Sequence, residues 1–180
     1  KVLKKNGYQT AIIGKWHLKS QPTGFDHWNV LPGQGHYYNP AFIKEGKDTI
    51  YQGYVTDIIT RLSREWIEQR NPDKPFMLMM HHKAPHRNWM PAPGLLDTLD
   101  NRDFKVPDTF YDDYAGRPHL EDQKLTVANH LDYQYDLKIP CDTCPVAPIN
   151  SWAPYYYKLA MRRLSDEQRE AWFEGYRDDI

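Results

Sequence analysis

Between Tyr54 and Met80 the chain changes its hydrophobic period, and that change narrows the fold more than any other feature. Val55, Ile58, Ile59, Leu62, Trp66 and Ile67 recur on one stripe, with Asp57, Arg61, Arg64, Glu65 and Glu68 opposite. This is the pattern of a helix that buries one face. Asn71-Pro72-Asp73-Lys74-Pro75 stops it, because proline lacks an amide donor and pushes its predecessor out of the helical region. Phe76-Met77-Leu78-Met79-Met80 is then apolar at every position. A strand with no polar face needs cover on both sides, so this run predicts a fully buried strand in a sheet with helices packed on it. Tyr8-Gln-Thr-Ala-Ile-Ile-Gly14 reads as a second buried strand. It follows Lys1-Val2-Leu3-Lys4-Lys5-Asn6-Gly7, where lysines crowd a helix end and Gly7 occupies the left-handed cap. The fold class is α/β, with polar residues leaving the C-terminal end of each strand, where ligands bind such sheets.

The rest is less periodic. Ser20 to Tyr51 is dense in Gly, Pro, Asn, His and Tyr and predicts a long irregular loop, a length that tends to accompany function. Residues 91–150 are proline-rich and irregular, with a short helix near Leu120–Leu131. Ser165-Asp-Glu-Gln168 is a capping box, followed by an apolar face of Trp172, Phe173 and Tyr176. The 180 residues suffice for one domain and a substantial core. A net charge of −1 exerts no global pull on nucleic acid or anionic lipid, and no apolar run reaches the ~20 residues of a membrane span. Cys141 and Cys144 are an incomplete zinc half-site without a strand-to-helix redox setting, so they read as a loop staple or spare thiols. Lys1 opens inside a helical pattern and Ile180 follows one without a stop signal, so both ends read as cuts through a larger domain.

Two clusters carry the chemistry: Gly14-Lys15-Trp16-His17 and His82-Lys83-Ala84-Pro85-His86-Arg87. Both follow predicted strands and offer cations and imidazoles without a carboxylate. That set suits a tetrahedral anion better than a metal. Zinc on His81, His82 and His86 would need a further ligand and another spacing. From residue type and spacing alone two readings stay open: solvated loop tips, or one anion-binding crevice. In the loop after His17, His36, Tyr37, Tyr38 and Asn39 suit a sugar, and His36, Arg87 and Trp89 are the candidate substrate contacts. Trp16 reads as core packing, and Asp112-Asp113 and Asp178-Asp179 as solvated acidic turns.

Gly7-Tyr-Gln-Thr-Ala-Ile-Ile-Gly14-Lys-Trp-His-Leu18 resembles the second signature of type I, formylglycine-dependent sulfatases, G-Y-x-T-x-x-x-G-K-W-H-L, and Gly24-Phe25-Asp26 is similar to their G-F-D. Pro75-Phe76 with His82-Lys83-Ala84-Pro85-His86-Arg87-Asn88-Trp89-Met90-Pro91 resembles their later P-F and H-x-P-H element. Together with Pro32-Gly33-Gln34-Gly35 it is similar to the branch holding glucosamine-6-sulfatases and heparan-type sulfatases. The resemblance is firm over 7–93 and looser to 180.

It implies an alkaline-phosphatase-like fold, a mixed sheet flanked by helices, incomplete in this chain. It implies calcium, and a formylglycine made from Cys or Ser in C/S-x-P/A-x-R, whose hydrated aldehyde attacks sulfur. That motif does not occur here, and the nucleophile and the calcium ligands are expected outside the chain. No metal ligand is therefore assigned within it, and alone it should not hydrolyse sulfate esters. By position, Lys15 would bind a sulfate oxygen and His17 would bond the formylglycine hydroxyl. Lys83 stands where many relatives have His and would touch sulfate, leaving Lys83 or His86 as proton donor. The implied substrate is a sulfated carbohydrate, 6-O-sulfated N-acetylglucosamine or a related glycosaminoglycan sugar. The implied setting is secreted, periplasmic or lysosomal. A phosphonate or phosphodiester hydrolase of the same fold, or a relative that binds sulfated glycan without turnover, are the alternatives.

Overall fold

The computed structural model describes residues 1–122, 126–139, 141 and 143–177. The Asp178-Asp179 turn lies outside them. The chain divides into two compact units, one formed by Lys1–Met90 with Lys158–Arg169, the other by Pro91–Tyr157 with the residues from Glu170 onward.

The first unit is built on a five-stranded mixed sheet in the order β4-β3-β2-β1-β5. After α1 (Val2–Lys5) come β1 (Gln9–Trp16), β2 (His27–Pro32), β3 (Ala41–Lys44), β4 (Lys47–Ile50), α2 (Val55–Gln69) and β5 (Phe76–His81). β1 runs parallel to both neighbours, with Ala11 opposite His27 of β2 and Leu78 of β5. β3 and β4 add antiparallel on the other side of β2. Ala11, Ile12 and Ile13 of β1 are fully buried, with Val30, Leu31 and Phe42 beside them and Val55, Ile58 and Ile59 of α2 completing the core. The predicted cap on α1 forms, with Gly7 at φ +84. Gln9 ties the end of α2 to the start of β1: its side chain donates to Asn71 O at 2.8 Å and accepts from Asn71 N at 2.8 Å.

Three expectations for this unit are corrected. Ser20 to Tyr51 is not one irregular loop, since it carries β2, β3 and β4. These strands are only four to six residues long. Asn29, buried in β2, breaks the apolar pattern, and its Nδ2 donates to the Tyr51 hydroxyl at 2.7 Å. Phe76–Met80 is a strand but not a fully buried one: Phe76 is 40% and Met80 44% exposed. β5 is the last strand on its side of the sheet, with no described strand beyond it. Trp16 is only half-buried, its indole N–H donating to Ser20 O at 2.6 Å, so it caps a turn rather than filling the core.

The capping box forms as written: Ser165 N donates to Gln168 Oε1 at 2.9 Å and Gln168 N to Ser165 Oγ at 3.2 Å.

In the second unit, α3 (Pro118–Glu121) and α4 (Val127–His130) replace the expected single helix near 120–131, whose middle, residues 123–125, lies outside the described residues. Cys141 and Cys144 are joined by a disulfide, the staple reading. Asp112 pairs with Arg117 and accepts from Tyr114 N, while Asp113 accepts from Ala115 N at 2.9 Å, as acidic turns do. Helices α5 (Ala153–Met161) and α6 (Asp166–Gly175) close the described chain.

Candidate active site

Parallel pairing of β1 and β5 decides where the chemistry goes. Gly14 stands opposite His81, so the residues after each emerge from the same end of the sheet. Position 14 admits only glycine: φ is +108, and a Cβ there would lie 2.0 Å from the His81 carbonyl oxygen. His81 Nδ1 lies 3.3 Å from Lys15 O and links the two exits.

Beyond these exits the side chains of Lys15 and Lys83 converge on one residue. Lys15 Nζ donates to Gln34 Oε1 at 2.8 Å, and Lys83 Nζ donates to Gln34 O at 3.0 Å. Lys83 is 5% exposed and its ammonium lies 4.5 Å from the centre of the buried Tyr37 ring. Burial, reinforced by the like charge of Lys15, pulls the Lys83 pKa down to about 8. Burial alone lowers that of Lys15.

His36 belongs to the same cluster. Burial, then the charges of Arg163 and Lys83, push its pKa down to about 4, so its ring is neutral at physiological pH. Asn39, three residues on, donates to Arg163 O at 2.6 Å and holds that segment against the loop. Among the described residues no carboxylate pairs with Lys15, Lys83 or Arg163.

The remaining candidates are placed less centrally. His17 is exposed and lines a separate, largely apolar recess of about 360 Å³ with Trp16, Trp28, Val30 and Pro32. His86 is exposed, its Nδ1 2.5 Å from Arg87 O, and its backbone carbonyl accepts from Tyr37 Oη at 2.6 Å. That bond ties the His86 turn to the ring that flanks Lys83. Arg87 is half-buried and Trp89 45% exposed.

Two residues were missed from sequence. Gln34 sits in a Pro-Gly-Gln-Gly turn whose glycines were noted for their family pattern only, and Arg163 lies far along the chain with no motif around it. The flanking glycines were the available signal for Gln34, since paired left-handed positions fix where the intervening residue points.

Calcium takes six to eight oxygen ligands. Among the described residues no three His, Cys, Asp or Glu side chains converge. Both cysteines are bonded to each other.

Parallel strands with a cluster of cations at one end of the sheet define an α/β domain. The chain belongs to the sulfatase family, whose profile matches residues 1–139. It is 48% identical over its whole length to N-acetylglucosamine-6-O-sulfatase of Bacteroides thetaiotaomicron and spans 32% of that protein. Over 53% of the chain it is 28% identical to human N-acetylglucosamine-6-sulfatase, of which it spans 20%. A solved structure of a protein in complex with its substrate D-glucosamine-2-N,6-O-disulfate superposes on the whole chain with a TM-score of 0.86 at 41% identity, 36% of that protein being covered. The chain thus spans about a third of the Bacteroides protein and of the protein in that solved structure, and the mixed sheet with flanking helices is the alkaline-phosphatase-like fold.

Proposed function

We propose that this chain is part of the catalytic domain of a carbohydrate sulfatase acting on 6-O-sulfated N-acetylglucosamine or a related glycosaminoglycan sugar. The meeting of Lys15 and Lys83 on Gln34 carries the proposal. Two ammonium groups side by side, one almost fully buried and neither paired with a described carboxylate, are an arrangement whose missing counter-charge is an anion. The names of the similar proteins point to a sulfated amino sugar as its source.

In this reading Lys15 and Lys83 each donate to a sulfate oxygen and stabilise the charge that develops as the ester bond breaks. Neutral His36 offers a hydrogen bond to the sugar, and Trp89 and Arg87 supply an exposed face and a planar donor beside it. His86 is assigned as proton donor to the leaving oxygen in preference to Lys83, which would lose its charge-holding role by giving up a proton. His17 is assigned to the nucleophile side. Formylglycine, which supplies the attacking oxygen in this family, and calcium would both be held by residues outside this chain. A secreted, periplasmic or lysosomal setting belongs to the same reading, and no described helix is long and apolar enough to cross a membrane.

The test is sulfate release from N-acetylglucosamine-6-sulfate by the full-length protein and its Lys15→Ala and His17→Ala variants. Each should lose roughly a hundredfold or more in kcat. Near-normal turnover by Lys15→Ala would remove the assignment. Turnover of a phosphate or phosphonate ester in place of the sulfate would transfer the site to phosphoryl chemistry.

A further inference from the structure

We propose that Gln34 is a positioning residue of the anion site, its side-chain and main-chain oxygens holding Lys15 and Lys83 side by side ahead of the ligand. The inference rests on the reading of those two lysines as the sulfate grip, and adds a residue that acts through them.

The geometry is specific. Oε1 of Gln34 receives Lys15 Nζ at 2.8 Å and its carbonyl oxygen receives Lys83 Nζ at 3.0 Å, so one residue bridges two strand exits. Local backbone makes this possible. Gly33 and Gly35 on either side have φ of +59 and +64, left-handed values that turn the chain sharply around Gln34. A Cβ on Gly35 would lie 2.3 to 2.7 Å from the side-chain carbons of Leu31, which is fully buried in β2. The turn is thereby pressed against the sheet, and the Gln34 oxygens have a fixed origin. The loop that carries them continues directly into His36 and into Tyr37, whose ring flanks Lys83.

The chemistry of the acceptor matters as much as its place. Two like charges held close repel, and burial already lowers the Lys83 pKa toward neutrality. An amide or peptide oxygen stabilises the charged form of an amine by hydrogen bonding without cancelling its charge. The site therefore keeps its positive charge for the ligand, and each ammonium spends one of its three donors and leaves two free. A carboxylate at position 34 would order the lysines equally well and neutralise them.

That contrast gives the experiment, made in the full-length protein with Gln34→Glu and Gln34→Met. Both keep the length of the side chain; the first adds a negative charge and the second removes the acceptor. With N-acetylglucosamine-6-sulfate, Gln34→Glu should raise KM about tenfold or more and move the basic limb of kcat/KM upward by about one pH unit. Gln34→Met should lower kcat at least several-fold while the limb set by Lys83, which keeps its main-chain acceptor, stays in place. Lysine Cε resonances followed by 13C NMR titrate Lys15 and Lys83 without any ligand: Gln34→Glu should raise the Lys15 pKa, and Gln34→Met should not. Unchanged Lys15 titration in Gln34→Glu, or equal loss of activity in both variants with no change in pH profile, overturns the proposal in favour of a purely structural turn. If wild-type protein releases no sulfate while the NMR shift appears, the positioning role stands and the sulfatase reading falls.

Discussion

Gly14 of β1 faces His81 of β5 so closely that any side chain at position 14 would enter the His81 carbonyl, 2.0 Å away. The missing Cβ is what lets the two strands pair in parallel up to the point where Lys15 follows on β1 and His82-Lys83 leave β5. Gly14→Ala combines this overlap with a φ of +108, and should cost about 3 kcal/mol or more in a denaturant titration. A midpoint unchanged from wild type would mean that the strands separate easily and that their register does not set the site.

Lys83 predicts the basic side of the activity profile. With its pKa at about 8, the ammonium is charged below that pH and lost above it, so anion binding should weaken from about pH 8 rather than from the ordinary lysine range near 10.5. The stability sign is opposite. Between about 8 and 10.5 the unfolded chain carries the proton that folded Lys83 has released, so this group makes the fold more stable as pH rises through that window. Lys83→Arg keeps its charge throughout, and its KM should stay flat to at least one unit higher in pH. A wild-type KM that is itself flat from pH 7 to 10 would contradict the role given to Lys83.

His36 predicts the acid side. Its folded pKa of about 4 lies below the ordinary 6.5, so as pH falls through 6.5 the unfolded chain takes up a proton that the folded chain refuses. Stability from this group is intact above 6.5 and declines progressively toward 4. His36→Asn removes the titration, and the difference in unfolding free energy between variant and wild type should shift in the variant's favour between pH 6.5 and 4. Thermal melts of the two proteins at pH 7.5 and 4.5 measure it. A difference that does not change with pH would place His36 in water rather than beside Arg163 and Lys83.

What could be read from the chain follows from what each element asks of its residues. α2 declared itself because Val55, Ile58, Ile59, Leu62, Trp66 and Ile67 recur on one stripe over about three and a half turns, and β1 because Ala11, Ile12 and Ile13 are apolar without a break. β2 was hidden by buried Asn29, whose partner Tyr51 lies beyond the next two strands, a long-range satisfaction that no local pattern announces. β3 and β4 are four residues each, too short for a period, and their connection uses Glu45 and Gly46 at φ +48 and +85 without an Asn-Gly signal. At the site, Lys15 and Lys83 could be named from motifs, but their shared acceptor could not, because it depends on the left-handed turn at Gly33 and Gly35. Arg163 is brought in by tertiary packing alone.

That packing rests on Asn39, the residue most exposed to a test. It is buried, stands at φ +43, and uses its backbone N–H and both side-chain polar atoms. Its backbone N–H donates to Gly53 O at 2.9 Å and its Oδ1 accepts from Gly53 N at 2.8 Å. Its Nδ2 donates to Arg163 O at 2.6 Å and to Gln168 Oε1 at 2.7 Å. Gln168 Oε1 also serves the capping box through Ser165 N, so one carboxamide joins the helix start to the loop that carries His36 and Tyr37. Asn39→Ala deletes three side-chain bonds and strands the Gly53 amide and the Arg163 carbonyl, a loss of about 3 kcal/mol. Asn39→Gly relieves the left-handed backbone but restores none of the bonds, and should recover only about 1 kcal/mol of it. Gln168→Ala keeps the contact to Arg163 and should cost about 1 kcal/mol. If the network positions the cluster as well as stabilising the fold, Asn39→Gly should raise KM for the sulfated sugar by a larger factor than Gln168→Ala at a temperature where both are fully folded. Equal KM values in the two variants would confine Asn39 to stability.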